Sequence, residues 1–353
     1  MLLIKWGEEV QIVKGINRSC IYDLPRAQYY FIPNELIDLI NDLEGQSVEK
    51  LSFLNEDEKK WISFLFEKEF IITIPPKFLK NFPKLNLNWI HPSYIINAIV
   101  SDNKFLEKSL LFLDQVICKQ ITIECATVSK LYKIMHNYFQ HTNFQNVDVI
   151  LNKIDDKLIK KIKREFPIIG KIYSSNRRDN KQNDKHVFFY DKQKINNQPL
   201  FVINIEFFSE SQKQHPYFNR KMFIGSNGEI KTAPECEESY GNIHQIKNHS
   251  ELLKIIENEG FQKYWSVHKE VCDVCKDCEL RYMCLDNRLP YQRNKKEWYH
   301  KTECNYNPYI CKWQGEEGYK TLRECSVISN EKSFSIDHEK IAKINQELWE
   351  ETE

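Results

Sequence analysis

No segment of this sequence approaches the roughly 18 uninterrupted apolar residues that a membrane-spanning helix requires. Its opening, MLLIKWGEEVQ, holds a very short apolar run, not the roughly 7–15-residue core of a secretory signal. Both absences predict a cytoplasmic chain with no membrane partner. A net charge is missing too, since 50 Lys plus Arg balance 50 Asp plus Glu. Nucleic-acid binders draw much of their affinity from a basic excess, so no nucleic-acid partner is expected. The phosphate loop G-x-x-x-x-G-K-[ST], the dinucleotide fingerprint, the G-x-S-x-G elbow and H-E-x-x-H are all absent. No repeat or low-complexity segment stands out.

What is present suits a folded protein. The 353 residues predict two or three domains at roughly 150 residues each. With 21 Phe, 17 Tyr and 7 Trp, apolar volume for a core is ample. Residues 1–76 read as short strands at Val10–Val13, Cys20–Leu24 and Tyr29–Ile32, then helices. The first helix opens at Pro33-Asn34-Glu35, carries Leu36, Leu39, Ile40 and Leu43 at helical spacing, and closes at Gly45. A second short helix fits Ser47–Leu54. A third begins at Asn55 with Glu58 as a capping box, and the strand-like Ile71–Ile74 stops at Pro75-Pro76. The pattern is that of a winged helix. Its third helix, with five acidic residues and three lysines over 55–70, is a poor face for phosphates.

Residues 77–215 alternate strand and helix, which argues for a parallel sheet, open or as part of a barrel. Strands are expected at Leu111–Leu113, Ile121–Ile123, Val147–Leu151, Ile168–Tyr173, Val187–Tyr190 and Leu200–Ile205. A polar loop is expected at Asn176–Lys185. Residues 216–330 begin with a hairpin at Met222–Ile224 and Ile230 around Ser226-Asn227-Gly228. A helix near Leu252–Ile256 follows, and residues 331–353 form a C-terminal helix.

Six of the eleven cysteines, at 272, 275, 278, 284, 304 and 311, fall within 40 residues. Cys20, Cys118, Cys125, Cys236 and Cys325 are scattered, as buried small hydrophobes would be. Disulfides are rare in a reducing compartment, so the cluster reads as a metal site. Four thiolates fit a [4Fe–4S] cluster and a tetrahedral zinc equally well. Asp286, Arg288 and Arg293 stand close to these cysteines. Arg288 offers a donor to sulfur, a hold on a peptide carboxylate or a salt bridge to Asp286. Trp298, Tyr299, Tyr306, Tyr309 and Trp313 offer shielding or plain core. A lone histidine such as His300 reads as a packed or surface residue.

Cys275-x2-Cys278-x5-Cys284 resembles the core of the SPASM domain, the C-terminal extension of many peptide-modifying radical SAM enzymes. The text CELRYMCLDNRLPYQR…CNYNPYICKW is most similar to the SPASM maturases encoded beside ATP-grasp ligases, the grasp-with-spasm systems, over residues 217–322. The resemblance implies one [4Fe–4S] cluster on Cys275, Cys278, Cys284 and Cys304, with Cys311 and Cys272 as alternates and zinc as the rival metal. The family's fourth cysteine falls on Arg288, and Cys236 stands at G-x7-C rather than G-x4-C from Gly228. The first auxiliary cluster is therefore read as lost. The radical SAM motif C-x3-C-x2-C is missing from residues 1–271, so no S-adenosylmethionine is expected.

The fold class that follows is α/β. It comprises a winged helix resembling a RiPP recognition element, a degenerate partial barrel, and a SPASM iron–sulfur domain. The resemblance implies maturation of a ribosomally made peptide, with the precursor's leader and an ATP-grasp ligase as partners. Whether the chain is itself an enzyme stays open, the missing motif favouring a non-catalytic accessory. The alternatives are a redox peptide-modifying enzyme that uses the cluster without SAM, and a structural zinc protein with a binding role.

Overall fold

The computed structural model describes residues 2–139, 142–152, 156–174, 187–189 and 200–350. The chain begins with β1 (Leu3–Trp6), β2 (Val10–Lys14), β3 (Arg18–Asp23) and β4 (Gln28–Pro33). Strands β2, β3 and β4 form an antiparallel sheet in that order, leaving β4 at an edge. Helix α1 (Glu35–Leu43) follows, and Gly45 leaves it with φ +72°, the left-handed geometry that suits a residue without Cβ. The segment Val48–Phe53 is a 3-10 turn rather than a full helix. Helix α2 (Glu56–Glu67) has the expected capping box: Asn55 accepts from Glu58 N, and the Glu58 carboxylate accepts from Asn55 N. Strand β5 (Ile71–Ile74) returns beside β1, which the sequence reading missed. Ile4, Ile21, Leu36, Ile40, Leu65 and Phe70 make this unit's core.

The middle of the chain is a seven-stranded sheet. It takes β6 (Asn97–Val100), β7 (Gln120–Cys125), β8 (Asn146–Leu151), β9 (Ile169–Ser174) and β10 (Val187–Phe189), all parallel. Between them run α3 (Leu106–Gln115), α4 (Val128–Tyr138) and α5 (Asp156–Glu165). In β7, Ile121, Ile123 and Cys125 are buried while the residues between them are more open. A parallel sheet buried on both faces reads as a continuous apolar run, so this alternation marks one closely packed face. Val147, Val149, Leu110, Leu113, Leu131 and Met135 belong to the core that forms there.

The strand expected at Leu111–Leu113 is instead part of α3. Its buried Leu106, Ser109, Leu110 and Leu113 recur at helical spacing, while Leu111 is 50% exposed. A four-residue apolar run cannot by itself distinguish the two periods. The stretch Leu200–Ile205 does not continue the large sheet either. It divides into β11 (Leu200–Phe201) and the start of α6 (Ile205–Ser211), where the Asn204 side chain caps by accepting from Phe207 N. The loop at 176–185 lies outside the described residues.

Strand β12 (Lys221–Ile224) lies parallel beside β6 and turns through Gly228, φ +83°, into β13 (Ile230–Lys231). Helix α7 (His249–Ile256) packs beside α3. Beyond it the chain folds through short pairs: β14 (Cys284–Leu285) on β11, then β15 (Pro290–Gln292) with β16 (Trp298–His300). Next come β17 (Tyr306–Asn307) with β18 (Lys312–Trp313), and β19 (Val327–Ser329) with β20 (Phe334–Ile336). The C-terminal helix α8 spans His338–Glu350, so the reading of 331–353 as helix throughout missed β20. The architecture is mixed α/β with a parallel-strand sheet. Among the described residues no helix is long and apolar enough to cross a membrane.

The first unit is tied to the last at a turn. The β2–β3 turn lies against the loop after Cys275, where Ile16 N donates to Asp277 O at 2.9 Å and Arg281 donates to Lys14 O at 2.8 Å. Gly15 permits the approach, since a Cβ there would sit 2.6 Å from Arg18 O and 2.9 Å from Glu279 N. Both obstacles are backbone and cannot rotate away. Gly15→Ala is therefore expected to cost about 1–3 kcal/mol as overpacking, read as a lower denaturant midpoint; an unchanged midpoint would show that the turn does not hold the loop.

Candidate metal centre

The cysteine-bearing loop is shaped by backbone geometry before any side chain acts. Val274 has φ +65°, an uncommon state for a β-branched residue that accompanies functional constraint more often than free loop. It turns the chain into a 3-10 turn at Cys275–Asp277, closed by Cys278 N to Cys275 O at 3.1 Å. Cys284 is placed by strand pairing, opposite Phe201. Cys304 comes just before β17. Two sulfurs receive backbone donors two residues ahead: Leu280 N to Cys278 Sγ and Tyr306 N to Cys304 Sγ, both 3.4 Å. Such N–H groups favour a thiolate over a thiol.

All four cysteines line one cavity of about 130 Å³, shared with Lys269, Arg288, His300 and Tyr306. The alternates do not line it. Cys272 is fully buried against Val267 and Trp298, its thiol donating to His268 O. Cys311, at φ +55°, lines a different cavity beside Trp61 and Asn345. Cys236 packs with Phe218 and Ala233, and Cys20, Cys118, Cys125 and Cys325 are buried in apolar surroundings.

The charges around the cavity are unequal. The Asp286 carboxylate accepts from Lys269 Nζ at 2.6 Å and from Arg288 Nη2 at 2.7 Å, and all three side chains are under one-tenth exposed. Burial alone would raise the Asp286 carboxyl; Lys269 and then Arg288 hold it well below the usual range. Two cations thus share one anion, leaving one buried positive charge beside four thiols. Burial pushes the thiols of Cys278, Cys284 and Cys304 up, so without a metal they stay protonated. Arg288 also donates to Cys275 Sγ at 3.8 Å and to Thr302 O at 2.9 Å. Both the sulfur contact and the salt bridge foreseen for Arg288 are therefore present together. Arg293 pairs instead with buried Asp273, to which Ser329 also donates.

The donor spacing is informative. A tetrahedral zinc about 2.3 Å from each thiolate sets its sulfurs about 3.8 Å apart. Among the described residues, the one group of three metal-donor atoms all within 4.8 Å is Cys275, Asp286 and His300. No three cysteine sulfurs are that close. His300 carried no signal in the sequence beyond being a histidine, and only β15–β16 pairing brings it here.

The first unit supplies the cavity's outer support. Glu279, buried next to Cys278, accepts from Arg18 Nε at 2.7 Å and from the Tyr306 hydroxyl. Arg18 also donates to that hydroxyl at 3.0 Å, and Tyr22 OH donates to Glu279 O at 2.7 Å. Of the aromatic residues singled out in the sequence, Tyr306 lines the cavity and Tyr309 donates to Asp277 at 2.7 Å. Trp298 packs on Cys272, and Trp313 lies against Tyr306.

No protein-family model matches the chain, and no curated protein matches it. Among solved structures it is similar to the crystal structure of selenomethionine BtrN in an open conformation. The identity is 14% and the TM-score 0.32, covering 53% of this chain and 94% of that one. A likeness so slight carries no inference, and the chemistry rests on the site.

Removing the shared anion tests the charge arrangement. Asp286→Asn leaves Lys269 and Arg288 buried without a counter-charge, a loss of about 3–5 kcal/mol. Chemical denaturation of the metal-free variant should show it, and metal loading should recover part of it. Equal stability of variant and parent would mean that the pair is not buried as described.

Proposed function

We propose that this chain holds one iron–sulfur cluster on Cys275, Cys278, Cys284 and Cys304, and uses the resulting fold to capture a ribosomally made precursor peptide for a partner ATP-grasp ligase. The carrying observation is the cavity that gathers those four cysteines beside an excess positive charge. A [4Fe–4S] core of charge +2 bound by four thiolates is a dianion, which that excess charge stabilises. The cavity volume supports a cluster over a single zinc ion, whose sulfurs would crowd to about 3.8 Å. When bound, the cluster would supply folding energy and a redox centre. The missing C-x3-C-x2-C favours an accessory role over radical chemistry.

Peptide capture is supported by the first unit, which we read as a RiPP recognition element beside a degenerate barrel and a SPASM domain. Strand β4 has a partner on one side only among the described residues, so an extended peptide has backbone groups to join. Beside it lies a cavity of about 670 Å³ lined by Phe31, Ile32, Pro33 and Trp61. Side chains of the added strand would choose their partner there.

Protein made with iron and handled without oxygen should contain iron and sulfide in near-equal amounts. Serine at Cys278, Cys284 or Cys304 should abolish both, and serine at Cys236, Cys272 or Cys311 should not. Stoichiometric zinc without sulfide would sink the cluster. For capture, any short precursor-like peptide found encoded near the gene is the probe. Trp61→Ala should weaken its binding tenfold or more with iron content unchanged; binding as tight as the parent's would move recognition away from β4 and α2.

A further inference from the structure

We infer that His300 is a nitrogen ligand to the metal centre, at the corner that carries Cys275. This rests on the cluster reading above, to which it adds a fifth donor. The ring stands at the end of β16 and lines the four-cysteine cavity. Its Nδ1 faces the carbonyl of Leu289 at 3.2 Å. A carbonyl can only accept, so Nδ1 carries the hydrogen, and the neutral ring's other nitrogen is a bare lone pair. That atom, Nε2, is fully buried and has no hydrogen-bond partner. A nitrogen of this ring lies within 4.8 Å of Cys275 Sγ and of an Asp286 oxygen.

A buried acceptor left unmet costs about 1–3 kcal/mol, so the cavity's occupant is the natural partner. The geometry matches that of metal-bound histidines, in which the second ring nitrogen is fixed by a backbone carbonyl and the first faces the metal. Asp286 completes the close group but is already engaged: Oδ2 accepts from Lys269 and Arg288, and Oδ1 accepts from the Arg288 backbone and side chain. Asp286 is therefore a positioning residue, and nitrogen, not carboxylate, is the added donor. Replacing sulfur by imidazole at an iron raises the potential of iron–sulfur centres. Imidazole is neutral where a thiolate is anionic, so the centre with His300 as its added donor should accept an electron more readily than one with a fifth thiolate in that place.

The test is pulsed electron paramagnetic resonance on the intact protein, reconstituted with iron and sulfide, reduced, and labelled with ¹⁵N-histidine. A hyperfine coupling of directly bound strength is expected, and it should vanish in His300→Gln. His300→Cys keeps a ligand at that corner; it should retain the iron, lose the coupling and show a lower midpoint potential. A centre that forms in the parent with only a weak, hydrogen-bond-strength nitrogen coupling overturns the inference and leaves the cluster reading standing. A coupling that survives in His300→Gln also overturns it. Failure to bind iron and sulfide at all defeats both.

Discussion

Lys269 and Arg288 lean on the single carboxylate of Asp286, and much of the C-terminal region is arranged around that imbalance. Two unit charges about 4 Å apart interact by about 4 kcal/mol at the effective dielectric of a protein site. One such pairing offsets one cation, not two. The remaining charge sits beside Cys275, to which Arg288 already donates. Burial meanwhile holds Cys278, Cys284 and Cys304 in their neutral form until something cationic binds them. Each half lacks what the other supplies: the cavity's cations need an anion, and the thiols need a metal to become thiolates. A metal–thiolate centre satisfies both.

That centre cannot be assembled by the cysteine loop alone. Cys275 and Cys278 are placed by the turn after Val274, Cys284 by pairing of β14 with β11, and Cys304 by the chain entering β17. Behind the loop stands the β2–β3 turn, fitted closely enough that position 15 has room only for glycine. Val13, Cys20 and Tyr22 share a core with Leu280, Met283 and Tyr306. The first unit and the cysteine region are therefore one packed body. Deleting residues 1–76 would strip the support from the ligand loop, which is why point substitutions in the groove are the sharper probe of peptide capture.

The sequence made the local patterns plain and left the long-range ones hidden. The capping box of α2, the Asn227-Gly228 hairpin and the strand at Ile121–Ile123 are signals within a dozen residues, and each took its expected form. Short apolar runs were ambiguous, so Leu111–Leu113 was misread and β1 overlooked. The cysteine spacing pointed to a site, because short-spaced thiols are the ligand pattern of metal centres. Yet no spacing could reveal Lys269, which lies 17 residues from Asp286, or Arg18, which reaches Glu279 across 261. His300 was passed over for the same reason. A lone histidine becomes chemically specific only when folding fixes one ring nitrogen and leaves the other facing donors.

Arg18 is where the proposed peptide groove and the metal centre meet. Its guanidinium lies 3.4 Å from the centre of the Phe31 ring on β4, and the same group bonds Glu279 and Tyr306. Glu279 follows Cys278 directly, and Tyr306 stands two residues past Cys304, donating its backbone N–H to that sulfur. A side chain that forms a wall of the proposed groove thus also braces the segments of two proposed metal ligands. Coupling between sites requires that each bias a shared element, and Arg18 is such an element on geometric grounds. A centre that orders the ligand loop would hold Arg18 against Phe31, and so present the groove already shaped. Under that arrangement the metal serves recognition through the fold. It needs no substrate within reach of the proposed centre, and this fits a chain without the C-x3-C-x2-C motif for radical chemistry.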